Sequence, residues 1–172
     1  MPTNFYMYFV AALIPMLVGA VYYHPKVVGS AWMKSNGFTE ESLKGGNMPV
    51  ILGLAYFFSL LMCLPLTAFI IHQGGVVSSA MSVTEPGVWS PEAIIDINAY
   101  MAKYGNNFRT FGHGALHGLI LSIGIALPVI GTNALFERRG GKYIAIHWGY
   151  WAISLMLMGG LLCKVLEFAP MS

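Results

Sequence analysis

Four long apolar runs, nearly free of charge, constrain this chain more than any other feature of it. They span Phe5–Tyr23, Val50–Ile71, Phe111–Phe136 and Tyr143–Cys163, and the charged residues fall almost wholly between them. A helix needs about 20 apolar residues to cross a hydrocarbon core of roughly 30 Å. Backbone crosses that core only as helix or closed barrel, and these runs are too long and continuous for barrel strands. The reading is all-α: a single four-span domain over residues 1–172, folded as an integral membrane four-helix bundle. Composition agrees. Hydrophobic residues make up 56% of the chain and charged residues 9%, against ~45–50% and ~25% in soluble domains. Little chain remains for a soluble catalytic domain. A net charge of +2, scattered along the sequence, excludes a nucleic-acid partner and leaves membrane lipids as the expected surroundings.

The basic residues orient the bundle. The first connection carries Lys26, Lys34 and Lys44, and the third carries Arg138, Arg139 and Lys142. In a four-span chain these connections lie on one side, opposite Lys103, Arg109 and Lys164. Short basic loops stay in the cytoplasm. The expectation is an inner-membrane protein of bacteria with both ends of the chain and the long connection His72–Thr110 outside. The amino end has no Lys or Arg ahead of its apolar run, so it does not read as a signal peptide. Tyr22, Tyr23 and Trp32, with Arg138, Arg139 and Lys142, are the expected membrane-interface anchors.

Each connection has local signals. Pro25 stops the first run, and Val27, Val28, Ala31 and Trp32 suggest a short segment in the interface. Thr39 ahead of Glu40 and Glu41 reads as a helix cap with acidic first-turn residues. In the outer connection Ser90-Pro91-Glu92 gives a cap, a first-turn proline and a dipole-compensating acid. Ile94, Ile97, Met101 and Tyr104 follow at helical spacing and Gly105 stops them. This predicts a short amphipathic helix in the loop between spans two and three.

The stretch from Gly19 through Tyr22-Tyr23-His24-Pro25 to Ala31-Trp32-Met33 resembles the opening signature of a bacterial membrane family, domain of unknown function 1761. Tyr22 stands where that pattern has Trp, and Val28 where it has Phe. Leu135-Phe136-Glu137-Arg138-Arg139, His147-Trp148-Gly149-Tyr150 and Gly159-Gly160 are similar to its closing part. Arg109-Thr110-Phe111-Gly112-His113-Gly114 resembles members from Bacteroidetes-type bacteria. The resemblance implies a four-span bacterial membrane protein and carries over no catalytic residue.

Two constellations bear on function. His113 and His117 share a face at the start of span three, and the predicted topology puts His72 at the same level. Glu92 and Asp96 are expected to approach from the outer helix. Three imidazoles and a carboxylate suit zinc, and two imidazoles on facing helices suit haem; the alternative is a set of polar residues at a bundle mouth. Gly114, Gly118 and Ser122 form a small-residue stripe at spacing four, matched by Gly159 and Gly160 in span four, and such stripes let helices approach closely.

Sharper activities fail on missing residues. No Asp or Glu lies inside a span, as proton-coupled export needs. Cys63 and Cys163 differ in depth and read as buried thiols, and no serine comes with a hydrolytic set. The leading reading is therefore a non-catalytic accessory or scaffold subunit, self-associating or lodged in a larger membrane complex, with no cofactor. A metal- or haem-binding module is the alternative, and a small transporter or channel the third.

Orientation gives the first testable outcome. Reversing both Arg138 and Arg139 to Glu removes basic charges, each worth on the order of 1 kcal/mol beside anionic lipid. Reporter fusions at both ends are expected to show lower insertion or mixed topology. Unchanged yield and orientation would assign the decision to the first span and outer connection.

Overall fold

The structure is a computed structural model that describes residues 2–171. Among these residues the secondary structure is helical, apart from an isolated bridge between Pro2 and Phe168. In chain order the elements are α1 (Met7–Ala11), α2 (Ile14–Tyr22), a π-helical turn (Pro25–Gly29), α3 (Ser30–Asn36), α4 (Glu40–Leu43) and α5 (Met48–Ile70). Then come α6 (Gln73–Ser79), α7 (Pro91–Tyr104), α8 (Phe111–Leu121), a second π-helical turn (Ser122–Ala126), α9 (Leu127–Phe136) and α10 (Gly141–Val165).

Among the described residues three helices are long and apolar enough to cross a membrane: α5, the continuous α8–α9 rod Phe111–Phe136, and α10. A fourth crossing exists if Met7–Tyr22 and Pro25–Asn36, bent by 58° at their junction, count together. The expected single helix over Phe5–Tyr23 is instead divided at Ala12–Leu13, just ahead of Pro15. Proline has no N–H to donate, and the first turn of a new helix, where Pro15 sits, is where that loss matters least. The third span keeps its expected bounds but widens at its middle. Pro128 offers no N–H to the carbonyl four residues back, at Gly124. The ladder shifts register there, and the Ser122 carbonyl accepts the N–H of Leu127 five residues on and the Trp148 indole N–H at 3.2 Å.

The local signals act as capping chemistry requires. Thr39 and Ser42 close a capping box on α4. Asn47 accepts the Val50 N–H at 3.4 Å to start α5. Ser90 accepts the Ala93 N–H at 3.2 Å to start α7, with Pro91 and Glu92 in the first turn. Ile97 is the buried residue of α7, flanked by half-buried Ile94 and Met101, while Tyr104 is exposed. Helix α6 has no counterpart in the sequence reading.

Helix α10 is the axis of the packing. It touches α1, α2, α3, α5, α8 and α9, and its buried residues run from Ile146 to Cys163. Its contact with α8 is the most intimate in the molecule and passes through glycine. A methyl group on Gly114 would run into the Gly159 carbonyl, and one on Gly118 into the Leu155 carbonyl. One on Gly159 would lie 2.5 Å from the Gly114 oxygen, and one on Gly160 2.6 Å from the Phe111 ring. Ser122, fully buried, bonds the Leu119 carbonyl at 2.7 Å. The stripe is thus used inside the chain. A buried apolar cluster, including Cys63, Leu66, Ile70, Met158 and Leu162, lies toward the end where α5 and α10 finish. Toward the other end α5 has little company: Val50, Leu54, Phe57 and Phe58 are at least half exposed.

Gly118→Leu sets side chain against backbone, which rotamer changes cannot relieve. The expected destabilisation in detergent melting exceeds about 3 kcal/mol. Gly53→Leu, at a position with open space around it, is the control and should melt like the parent. Equal melting of the two variants would remove the glycine contact as the organising feature.

Candidate metal centre

The end of α5 and the start of α8 place the histidines. Helix α5 closes at Ile71, whose extended backbone (φ −110°, ψ 91°) turns the chain before α6 and leaves His72 at the corner. Thr110 caps α8 by accepting the His113 N–H at 3.2 Å, so His113 stands in the first turn and His117 in the next. The imidazoles of His72, His113 and His117 converge, with one ligand nitrogen from each lying within 4.8 Å of the others. Nε2 of His72 and Nε2 of His113 are 3.0 Å apart, a hydrogen bond in which one ring donates and the other accepts. Ring centres lie 5.1 Å apart for His72 and His113, 4.9 Å for His72 and His117, and 4.5 Å for His113 and His117.

That spacing suits an ion better than a porphyrin. Zinc–nitrogen bonds of about 2.0–2.1 Å in tetrahedral array put ligand nitrogens roughly 3.3 Å apart, so small side-chain adjustments close the set. Haem needs a flat slot between two imidazoles, whereas these rings lie against one another. His72 is exposed and the other two half-buried, which keeps a path open to solvent. Among the described residues, the His72–His113 bond is the only hydrogen bond that these three side chains make. Metal-bound imidazoles are usually oriented by an acceptor on their other nitrogen. An ion held here would be exchangeable.

The expected carboxylates do not join the group. Glu92 and Asp96 lie outside the clustered ligand atoms and are exposed. The reason lies in the facing of α7: Ile97 is its buried residue, and half-buried Asn98 clamps the Met171 backbone through bonds of 2.9 Å from both sides of its amide. His24 and His147 belong to the opposite end, near the basic connections. There His147 packs 4.2 Å from the Tyr143 ring, and its buried Nε2 has no partner among the described residues.

Three neighbours escaped the sequence reading. Phe108 places its ring 5.2 Å from His113 and 6.4 Å from His72, on a backbone with φ of +60°. Such left-handed backbone in a bulky residue persists only where its surroundings hold it, and the signal was not readable beforehand. Arg109 donates from Nε to the Cys163 carbonyl at 2.7 Å and from Nη2 to the Leu166 carbonyl, while its guanidinium lies 5.5 Å from the Phe168 ring centre. It thereby satisfies carbonyls that α10 leaves unpaired at its end. Burial lowers its pKa from the ordinary guanidinium value, and the group keeps its charge at neutral pH. Gln73, next to His72, donates to the Tyr104 and Asn107 carbonyls at 3.0 and 2.9 Å.

The other expected residues are at the basic end. Tyr22 donates to the Ile146 carbonyl at 3.0 Å and Tyr23 packs 5.4 Å from Trp32, so these rings join helices as well as facing outward. Arg138, Arg139 and Lys142 are exposed, Arg139 lying 3.8 Å from the Glu137 carboxylate. Cys63 and Cys163 are free, buried thiols.

Membrane-length helices joined through glycine, with a histidine triplet at one end, define a small multi-helix membrane protein with a candidate metal centre. The chain belongs to the family described as protein of unknown function (DUF1761), whose model matches residues 6–163. No curated protein and no solved structure matches it.

Arg109→Gln removes a charged donor from two buried carbonyls. The expected loss of stability is about 1.5–3 kcal/mol, by thermal unfolding in detergent. Lys164→Gln, which changes an exposed charge, should leave the melting curve in place. An unchanged curve for both would remove Arg109 as the clasp of α10.

Proposed function

We propose that this protein is a bacterial inner-membrane four-helix bundle that binds a divalent transition ion, zinc foremost, through His72, His113 and His117. The observation that carries the reading is convergence: the corner after α5 and the first turns of α8 bring three imidazole nitrogens within 4.8 Å of one another. Imidazole favours zinc, copper and nickel over calcium or magnesium, which take oxygen ligands. Three protein ligands leave a fourth position open, unlike a closed structural zinc site. With no carboxylate in the group to serve as a general base, the reading is binding and presentation of the ion, not catalysis. The histidine end is assigned to the outside, from the excess of basic residues at the opposite end.

An accessory subunit of a larger complex is the second reading. The exposed apolar surface of α5 over Val50–Phe58 supports it. The glycine stripe does not, since α10 already fills it.

The ion decides between them. Elemental analysis of purified protein after zinc loading and desalting should give about one ion per chain, with affinity falling at least roughly tenfold in His113→Ala or His117→Ala. Glu92→Gln and Asp96→Asn should bind like the parent. Absence of a stoichiometric ion, or binding indifferent to both histidine substitutions, would leave the accessory reading, and native mass spectrometry from mild detergent would then be expected to show a partner.

A further inference from the structure

The chain enters α8 through left-handed backbone, and it gives that backbone to a bulky residue although a better-suited one stands beside it. Among the described residues the positive-φ positions are Gly37, Gly87, Phe108 and Arg138, of which Arg138 turns the chain toward α10. Glycine takes such a conformation without a Cβ clash, and asparagine tolerates it better than a large side chain does. Asn107 precedes Phe108, yet Phe108 carries the φ of +60°. Grips on both sides impose it. Gln73 donates to the Asn107 carbonyl at 2.9 Å, and Arg109 is clasped to the end of α10. The Phe108 carbonyl itself accepts the Thr110 N–H at 2.9 Å and the Cys163 thiol at 3.4 Å.

Burial does not offset the strain, because Phe108 is 65% exposed. What its ring touches is imidazole. The phenyl centre lies 5.2 Å from that of His113, with 31° between the planes, and meets the His72 ring edge-on at 6.4 Å. A ligating imidazole is ordinarily oriented by an acceptor on its second nitrogen. His113 has no such acceptor among the described residues, since its side chain bonds His72 alone. The phenyl ring restrains it from the side instead.

We propose that Phe108 is the positioning residue of the histidine centre, its left-handed backbone retained because it holds the phenyl ring against His113. His113 is thereby the fixed member of the set. The effect on affinity rests on the metal reading, whereas the positioning is observable without metal. In metal-free protein carrying isotope-labelled histidine, Phe108→Gly should shift the His113 ring signals, which lose the phenyl ring current, and leave those of His24 and His147 in place. The same variant should melt at or above the parent, because glycine accepts the backbone, while zinc affinity falls roughly tenfold or more. Phe108→Tyr keeps the ring and should match the parent in signals and affinity. A residue with a merely structural role gives the reverse: a lower melting temperature with affinity unchanged in the folded protein. That result would overturn the assignment, as would unmoved His113 signals in Phe108→Gly, or Phe108→Tyr binding zinc as weakly as Phe108→Gly. A parent that binds no zinc defeats the metal reading alone, and the His113 signals then decide the role of Phe108.

Discussion

Backbone contact between α8 and α10 is the constraint on which the rest of this structure depends. Inside a bilayer, apolar side chains gain little by leaving lipid for one another, so helices associate through close packing and hydrogen bonds. Here Gly114 and Gly118 meet Gly159 and the Leu155 carbonyl with no side chain between them. The contact is short-ranged and permits one register. Once it forms, Trp148 reaches the Ser122 carbonyl, and Cys163 comes level with the start of α8.

That register sets the level of the histidine group. Gly114 and Gly118 turn one face of α8 to α10, and His113 and His117, four residues apart, share the adjacent face. Helix α5 is held against α1 and α10 by Cys63, Leu66 and Ile70, and it ends at the height where α8 begins. Arg109 fastens the far side by tying the loop before α8 to the last carbonyls of α10. The three imidazoles meet because three helix ends are pinned by contacts that do not involve them.

Much of this was legible in the sequence, for reasons that are physical. Run length specified three of the spans, and the bounds of Phe111–Phe136 agree with the helical rod, while the first run is divided at Ala12–Leu13. Ser90-Pro91-Glu92 announced α7 because caps act on nearest neighbours. The glycine stripes on α8 and α10 were visible because small side chains at spacing four have few other uses. Long-range geometry was less accessible. Alternation of spans placed His72 level with His113 and His117, but nothing local showed that α7 turns Asp96 away. The π-helical turn ahead of Pro128 was not readable either, and the Trp148 indole that shares its Ser122 carbonyl comes from another helix. Nothing local announced α6, since the Gln73 bonds that anchor it reach to Tyr104 and Asn107, a distant segment.

The adjacency of His72 and Gln73 has a mechanical consequence. One residue belongs to the histidine group, and the next grips the loop after α7 through the Tyr104 and Asn107 carbonyls. A single peptide plane joins the two grips, and no slack residue separates them. Gln73 therefore fixes the backbone of the corner against the loop after α7, and the His72 ring is left to move by its own side-chain torsions. The corner after α5 works as an anchored pivot: the imidazole swings while its base stays put.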